Sequence, residues 1–401
     1  MRSWNQIAAQ AGRLMTQKLL YLVSEDWYFV SHRLPMARSA KNAGYEVHVA
    51  TRVDKCAQQI IREGFHLHPI QWRRGSMNPF RFLRTIMDTR RLYRQLRPDL
   101  VHHVALVPTV VGSIAALGLP MARLNAFAGL GFIFTSDKAK ARLVRWIANP
   151  LLGWLLKRPD TTVLVQNPDD RSVAIRLGVP LERIALIPGS GIDVDSLTPL
   201  PEPACSFTIG FVGRLLDDKG VRTLVRAHEI LTERGLSIRT LLAGAPDPSN
   251  PASIPDRVLD LWRNHHNLIM LGHVDDVRTV WAQAHVGVLP SRREGLPKSL
   301  LEAAACGRPL IATDVPGCRE IARHGVNALL VPPDDPQALA NAIETLMKDR
   351  DLRRSFGRAG RQLVTDEFSS GRIGREIVAL YAHLLAATPG PEFQSLEGPA
   401  S

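Results

Sequence analysis

Cysteine and long apolar segments are both scarce in this sequence of 401 residues. The four cysteines stand far apart, without the close pairs of a zinc site or the density of a secreted disulfide scaffold. We therefore expect a protein of the reducing cytoplasm. No run approaches the roughly 20 apolar residues that span a bilayer, which predicts a soluble or peripheral protein. Residues 1–17 lack the apolar core and cleavage site of a secretion signal, so we interpret them as an N-terminal extension, with Met15 as an alternative start.

Acidic residues are depleted in the first half of the chain. Residues 1–200 contain 27 Lys and Arg against 14 Asp and Glu, whereas residues 201–401 contain 23 against 24. A basic excess confined to one half predicts an anionic surface or ligand that only this half meets. Nucleic acid, anionic lipid and phosphorylated acceptors are the candidate partners.

Short apolar runs alternate with helical patterns along both halves of the chain. This order predicts parallel β-sheets covered by helices on both faces. The alternation is interrupted at residues 197–206, where Pro199, Pro201 and Pro203 exclude regular structure. Two Rossmann-like α/β domains are therefore expected, with a cleft between them in which ligands of such sheets usually bind.

The predicted organisation has six parts. They are an N-terminal extension at 1–17, a first Rossmann-like domain at 18–198, a linker at 199–205, a second Rossmann-like domain at 206–368, a helix at 369–386 and a disordered tail at 387–401.

The segment SRREGLPKSLLEAAACGRP, residues 291–309, carries the strongest chemical signal. Glu294 lies in a loop after an apolar strand, and Glu302 follows on the helix that this loop opens. One carboxylate can bind sugar hydroxyls and the other ribose hydroxyls, although two solvated glutamates are the alternative. The intervening residues let the backbone approach a ligand, start the helix and offer free amides to an anion. They include Gly295, Leu296, Pro297 and Ser299.

A second signal is GFVGRLLDDKG, residues 210–220, directly after the first strand of the second unit. Arg214 and Lys219 occupy the strand-to-helix loop, from which cations can reach a diphosphate beside the sheet. Solvated surface charges are the alternative for this loop alone. Together the two segments supply cations and helix amides for a leaving diphosphate, and carboxylates for hydroxyls.

GRLLDDKG, followed by REGLPKSLLEAAACGRPLIATDVPGCREI, resembles the family 4 retaining glycosyltransferases of the GT-B fold. The resemblance covers roughly residues 18–386, and it implies that the domain at 18–198 binds the acceptor and the domain at 206–368 binds the nucleotide-sugar donor. It implies that Arg214 and Lys219 bind the donor diphosphate, that Glu294 contacts the transferred sugar and that Glu302 binds the ribose. The segment LGHVDD matches the loop whose backbone frames the base, which assigns Gly272 and His273 to the donor site.

The first half is similar to a bacterial branch that builds lipid-linked surface polysaccharides, on the segments SEDWYFVSHRLPMA, DLVHHVALVPTVVGS and NAFAGLGFIFTSD. The family's glycine-rich loop after the first strand is absent, and we assign the Glu25 and Asp26 that replace it to the acceptor side. The family's active-site histidine is expected within DLVHH. His103 is the first choice and His102 the second, with a structural role as the alternative.

Two basic segments are candidates for a membrane surface. Residues 71–97 carry eight arginines against one acid, and residues 138–158 mix Lys and Arg with Trp and Leu. This mixture suits an interfacial segment on anionic lipid, while an ordinary solvated helix face is the alternative. The residues assigned to this surface are Arg81, Arg84, Arg91, Arg94, Trp146 and Trp154.

We therefore expect a retaining hexosyltransferase that moves a hexose or N-acetylhexosamine from a nucleotide diphosphate-sugar, UDP-linked by resemblance. The expected acceptor is a polysaccharide or a polyprenyl-diphosphate-linked glycan at the inner face of the cytoplasmic membrane. The C-terminal helix is expected to cross back to the first domain.

No metal or cofactor is expected, because Arg214 and Lys219 replace a divalent ion. We interpret the DxD of Asp193 and Asp195 as part of a turn. A nucleotide-sugar epimerase or hydrolase on the same fold is the closest alternative function. A nucleic-acid-binding protein is a weaker one, because the sequence contains no recognised module or set of stacking aromatics.

Overall fold

The computed structural model describes residues 17–71, 78–127, 150–189, 191–248 and 250–387. Within these ranges two parallel β-sheets form the centre of the protein, which confirms the predicted α/β class. The first sheet has the order β3-β2-β1-β4-β5-β6-β7, with β1 (Lys18–Glu25), β2 (Glu46–Arg52), β3 (His66–Pro69), β4 (Leu100–Val104), β5 (Ala122–Ala126), β6 (Thr161–Val165) and β7 (Ile184–Leu186). The second has the order β10-β9-β8-β11-β12-β13, with β8 (Thr208–Val212), β9 (Arg239–Ala243), β10 (Leu268–Gly272), β11 (Val286–Leu289), β12 (Leu310–Thr313) and β13 (Ala328–Val331).

Helices connect most of the successive strands, because parallel strands need crossover connections. Those of the first half are α1 (Asp26–His32), α2 (Leu34–Asn42), α3 (Ala57–Arg62), α4 (Pro79–Leu96), α5 (Leu106–Ala115) and α6 (Pro168–Arg176), with a further helical stretch at residues 150–156. Those of the second half are α7 (Val221–Glu233), α8 (Asp256–Arg263), α9 (Arg278–Trp281), α10 (Lys298–Ala305), α11 (Cys318–Ile321), α12 (Pro336–Lys348), α13 (Arg350–Glu367) and α14 (Ser370–Ala387).

The strands are continuous apolar runs because both faces of a parallel sheet are covered. Residues 19–23 of β1 are almost completely buried, and their side chains alternate between two separate cores. One face of the first sheet packs against α4 and α5. The opposite face packs against α2 and α14.

The C-terminal helix α14 completes the core of the first half. Tyr381 of this helix is fully buried, and its hydroxyl lies 2.7 Å from that of Tyr21 on β1. Close packing against α2 depends on Gly374, since a Cβ there would lie 2.1 Å from the Oγ of Ser39. The segment that leaves the first half at Ile192 lies beside the segment that enters α14. The amide of Ile192 donates to the carbonyl of Phe368 at 2.8 Å.

Residues 199–205 contain no helix or strand. The predicted extension and tail lie outside the described residues, apart from residues 17 and 387. None of the helices in the described ranges is long and apolar enough to cross a membrane.

Candidate active site

Two loops at the carboxyl ends of β8 and β11 meet in the second half. Gly220, which ends the β8 loop, has φ 69°, and a Cβ at this position would lie 1.9 Å from the carbonyl oxygen of Pro290. Only glycine fits both this left-handed conformation and this close approach. The contact brings Lys219 to the loop that contains Glu294.

Lys219 and Glu294 form an ion pair at the centre of this junction. The Nζ of Lys219 lies 2.6 Å from the Oε1 of Glu294, and the hydroxyl of Ser291 donates to the same oxygen at 2.6 Å. Both side chains of the pair are largely buried. The structure therefore brings together one predicted residue from each of the two motifs, with the cation and the carboxylate side by side.

Helix α10 begins at the same junction and carries the second glutamate. Pro297 precedes it and no side chain caps its first amides, so the amides of Lys298 and Ser299 are open to a ligand. Glu302 is nearly buried within the helix, 3.3 Å from the Nζ of Lys298. Burial raises the pKa of Glu302, and Lys298 partly offsets this increase.

Arg214 lies in the same β8 loop but has a different partner. Its Nη1 is 2.7 Å from the Oδ2 of Asp247, and its side chain remains substantially exposed. Gly272 is the last residue of β10 and His273 follows it, and the carbonyl of Gly272 accepts from the amide of Gly244 at 2.6 Å. A surface cavity of about 360 Å³ opens beside these two glycines.

Two residues of the first half reach the Glu294 loop, and the sequence reasoning did not single them out. Asn167, at the end of β6, is fully buried and donates from Nδ2 to the carbonyl of Gly295 at 2.9 Å. Gly189 faces Leu296, since a Cβ there would lie 2.6 Å from its Cδ2. The Asn-Pro pair after an apolar strand is a helix-start signal, so the sequence could have indicated Asn167 as a cap, but not as a contact between the halves.

His32 is a third residue that the sequence reasoning missed. It ends α1, and its ring stacks on Tyr28 with the centroids 4.3 Å apart. Among the described residues its Nδ1 is buried without a hydrogen-bond partner. Burial, together with the charges of Arg33, Lys298 and Lys219, lowers the pKa of His32 to about 3. A neutral imidazole thus lies within electrostatic reach of Lys298 and Lys219, at the junction of the two loops.

The structure corrects the catalytic assignment of His103 and His102. Both rings are completely buried on opposite faces of β4. His103 is bonded to Tyr93 at 2.9 Å and to Asn125 at 2.7 Å, and the Nδ1 of His102 lies 2.7 Å from the Tyr381 hydroxyl. Core side chains of this kind do not reach a substrate. The alternative that a histidine at this strand end is structural describes them better.

Asp26 also needs correction as an acceptor residue. It is completely buried, and its Oδ2 accepts from the amides of Asp54 at 2.7 Å and Cys56 at 2.9 Å. Its role is to order the loop after β2. Glu25 is different, because Arg52 binds only its Oε2, at 2.8 Å, while its buried Oε1 has no hydrogen-bond partner among the described residues.

The DxD at Asp193 and Asp195 is a turn. The Oδ1 of Asp193 accepts from the backbone amides of Asp195 at 3.1 Å and Ser196 at 3.0 Å. This local bonding is typical of an aspartate that stabilises a loop.

The four arginines assigned to a membrane surface are all exposed on α4. Trp154 is also exposed, and its ring lies 5.5 Å from the guanidinium carbon of Arg158. Trp146 lies outside the described residues.

Each half of the chain matches a family model. The model described as "Glycosyl transferase 4-like" matches residues 18–167, and that described as "Glycosyl transferases group 1" matches residues 206–349. The capsular polysaccharide biosynthesis glycosyltransferase CapM of Staphylococcus aureus is 24% identical over 94% of this chain and 100% of its own length. The N,N'-diacetylbacillosaminyl-diphospho-undecaprenol alpha-1,3-N-acetylgalactosaminyltransferase of Campylobacter jejuni is 24% identical over 88% of this chain and 95% of its own.

The fold is similar to that of HepE from Anabaena, solved in complex with UDP and glucose. The TM-score is 0.75 at 19% identity, with 91% of this chain and 99% of HepE covered. Three findings agree with one another. The chain has two parallel α/β domains, its loops after β8 and β11 meet, and each half matches a family model. The chain belongs to the glycosyltransferases of the GT-B fold, with a family 4-like first half and a group 1 second half.

Proposed function

We propose that this glycosyltransferase moves a hexose or N-acetylhexosamine from a nucleotide diphosphate-sugar, with retention, to a lipid-linked or polysaccharide acceptor. The observation that carries the proposal is the ion pair between Lys219 and Glu294, 2.6 Å long, beside the start of α10. A donor diphosphate and its sugar present one anion and several hydroxyls, which are the natural partners of this ammonium and this carboxylate.

Donor binding is expected to separate the ion pair. Lys219 turns to the diphosphate, and Glu294 accepts hydrogen bonds from the sugar hydroxyls. The open amides at the start of α10 add a second anion contact. Arg214 reaches the diphosphate by releasing Asp247, and Glu302 binds the ribose. The cavity beside Gly244 and Gly272 is proposed to receive the base. A UDP complex of the similar HepE supports a UDP-linked donor.

Retention is proposed to come from attack of the acceptor on the face that the leaving group vacates. The departing diphosphate, stabilised by Lys219 and Arg214, takes the acceptor proton. No protein nucleophile and no divalent ion are then required, because the two cations neutralise the developing charge.

The acceptor side is proposed to lie at an anionic membrane surface. Phe80, Leu83 and Met87 are spaced at helical intervals on α4 and are 82%, 53% and 53% exposed. Arginines flank them on the same helix, which is the composition of an interfacial segment. The names of the relatives from S. aureus and C. jejuni, with a capsular polysaccharide and an undecaprenol-linked substrate, support a role in surface polysaccharide biosynthesis.

The test is a transfer assay with a panel of nucleotide-sugars and polyprenyl-diphosphate-linked acceptors, with the product anomer read by NMR. We expect one nucleotide-sugar to be consumed rapidly only when an acceptor is present, with its anomeric configuration kept. Rapid hydrolysis or epimerisation without any acceptor would contradict the proposal, and so would an inverted product.

A further inference from the structure

A cluster of histidine and glutamate side chains lies at the amino ends of β2 and β3, outside the cleft. Glu46 and His48 are two residues apart on β2 and therefore share one face of the sheet. His66 is the register partner of His48 on β3, which is the edge strand. His68, two residues further along β3, projects to the same side. The donor loops, by contrast, follow the carboxyl ends of their strands.

The distances within this cluster match those between the ligands of a metal ion. The Oε1 of Glu46 lies 3.0 Å from the Nε2 of His48 and 3.7 Å from the Nε2 of His66. A tetrahedral ion with bonds of about 2.0–2.1 Å keeps its ligand atoms about 3.3 Å apart. In the part of the chain that the structure describes, these are the only three such side chains with ligand atoms all within 4.8 Å of one another.

The second ring nitrogen of His48 also has a partner in the cluster. Its Nδ1 lies 3.0 Å from the Nε2 of His68. When Nδ1 donates to His68, the lone pair of the His48 Nε2 faces the carboxylate of Glu46. This tautomer leaves Nε2 free to bind an ion, whereas the other tautomer donates from Nε2 to Glu46 at 3.0 Å. A bound metal ion selects the first.

We propose that Glu46, His48 and His66 bind one divalent transition-metal ion, with zinc as the expected occupant. Two imidazoles and a carboxylate are characteristic zinc ligands, and a water molecule completes the tetrahedron. His68 supports the site from outside by accepting the Nδ1 proton of His48. The ion has a structural role, because it connects β2 to the short edge strand β3 far from the reacting groups.

The test is a calorimetric titration of the full chain, first stripped of metal with a chelator, with zinc chloride at pH 7.5. We expect one zinc ion per chain with a micromolar Kd. His66→Ala and Glu46→Gln should each weaken binding at least tenfold. The His66 side chain is 59% exposed, so its loss should not disturb the core.

The matched control is His265→Ala. His265 and Glu229 form another surface His–Glu pair, 3.6 Å apart, but neither belongs to a three-ligand group of the described residues. This variant should bind zinc like the native chain.

Zinc should also raise the Tm of the native chain and of His265→Ala by several degrees, because an ion that binds only the folded state stabilises it. It should leave the Tm of His66→Ala unchanged, while the metal-free Tm of that variant shows that it folds. The absence of zinc binding by the native chain would overturn the proposal. Equal affinity in the native chain and His66→Ala would do the same.

Discussion

A single carboxylate oxygen organises the proposed donor site. Lys219 and Ser291 both contact the Oε1 of Glu294, from two different loops. A ligand that takes Lys219 leaves Glu294 with its bond from Ser291, so the carboxylate stays in place while it exchanges its cation for a sugar hydroxyl. Because this proposed exchange begins at Lys219, a substitution of Lys219 is the most informative test of the site.

Neutralising either donor-site cation should slow transfer without unfolding the protein. We expect Lys219→Ala and Arg214→Ala each to lower turnover on the order of 100-fold, the scale of losing one electrostatic stabiliser of a leaving group. Arg222→Ala is the control, because Arg222 pairs with Asp217 at 2.6 Å on an exposed part of the same region. Near-normal turnover in both donor-site variants, measured with saturating donor, would show that the site has been misplaced.

The buried histidines should make the protein acid-sensitive. Burial lowers the pKa of His103 to about 4, against an ordinary value near 6.5 in the unfolded chain. Between these values the unfolded state binds more protons, so stability falls as the pH decreases from about 6.5 toward 4. His103 alone should cost roughly 2 kcal/mol at pH 5.

Unfolding curves at pH 7.5 and pH 5 measure this effect. The difference between the two pH values should be smaller in His103→Gln than in the native chain, and unchanged in His273→Gln, which alters an exposed histidine. An identical pH dependence in the native chain and His103→Gln would contradict the assignment of a buried neutral ring.

Individual site residues were predictable where a sequence motif contains them. The pattern of short loops after β8 and β11 indicated Lys219 and Glu294, and the structure places them in contact. His102 was not predictable in the same way, because its partner Tyr381 lies 279 residues later in the chain. Periodicity identifies a strand end, but it does not show what a distant helix will place beside it.

At the level of elements, the alternation of apolar runs and helical patterns was sufficient to predict both sheets. Parallel strands are buried on both faces, so their sequences are recognisable without knowledge of their partners. The close contact between α14 and α2 was not predictable, because it depends on Gly374 lying opposite Ser39. In a single sequence, a glycine within a helix does not indicate which neighbour requires it.

Replacing this glycine should loosen α14 from the first half. A Cβ on Gly374 would lie 2.1 Å from the Oγ and 2.8 Å from the Cβ of Ser39, so we expect Gly374→Ala to destabilise the protein by about 1–3 kcal/mol. Gly371→Ala is the matched control in the same helix, since its Cβ would meet only Arg375, at 3.7 Å. It should be neutral or stabilising by up to about 1 kcal/mol. Equal urea midpoints for the two variants would argue against tight helix packing.

For the whole molecule, the proposed chemistry and the proposed zinc site are separable. In the proposed mechanism transfer depends on two cations at the carboxyl ends of the second sheet, whereas zinc would bind at the amino ends of the first. We therefore expect EDTA to lower the Tm but to leave turnover at 25 °C largely intact. Complete loss of transfer with EDTA and its recovery with manganese would contradict metal-independent catalysis.

The uneven charge of the whole molecule predicts where it works. The excess of Lys and Arg lies in residues 1–200, and α4 exposes both arginines and large apolar side chains. Each basic residue near an anionic surface contributes roughly 1 kcal/mol, so four or five engaged residues give reversible binding that high salt weakens. We expect the protein to co-sediment with vesicles that contain anionic lipid and not with neutral vesicles.

Replacing Arg81, Arg84, Arg91 and Arg94 together with Gln should reduce this co-sedimentation and slow transfer to a lipid-linked acceptor. Donor binding should stay unchanged, because these residues lie on the first half and the donor loops on the second. As a control, Arg226, Arg234, Arg354 and Arg358 of the second half can be replaced by Gln, which removes the same charge without touching α4. Equal sedimentation of the native chain with neutral and anionic vesicles, or none with either, would leave a water-soluble acceptor as the better interpretation.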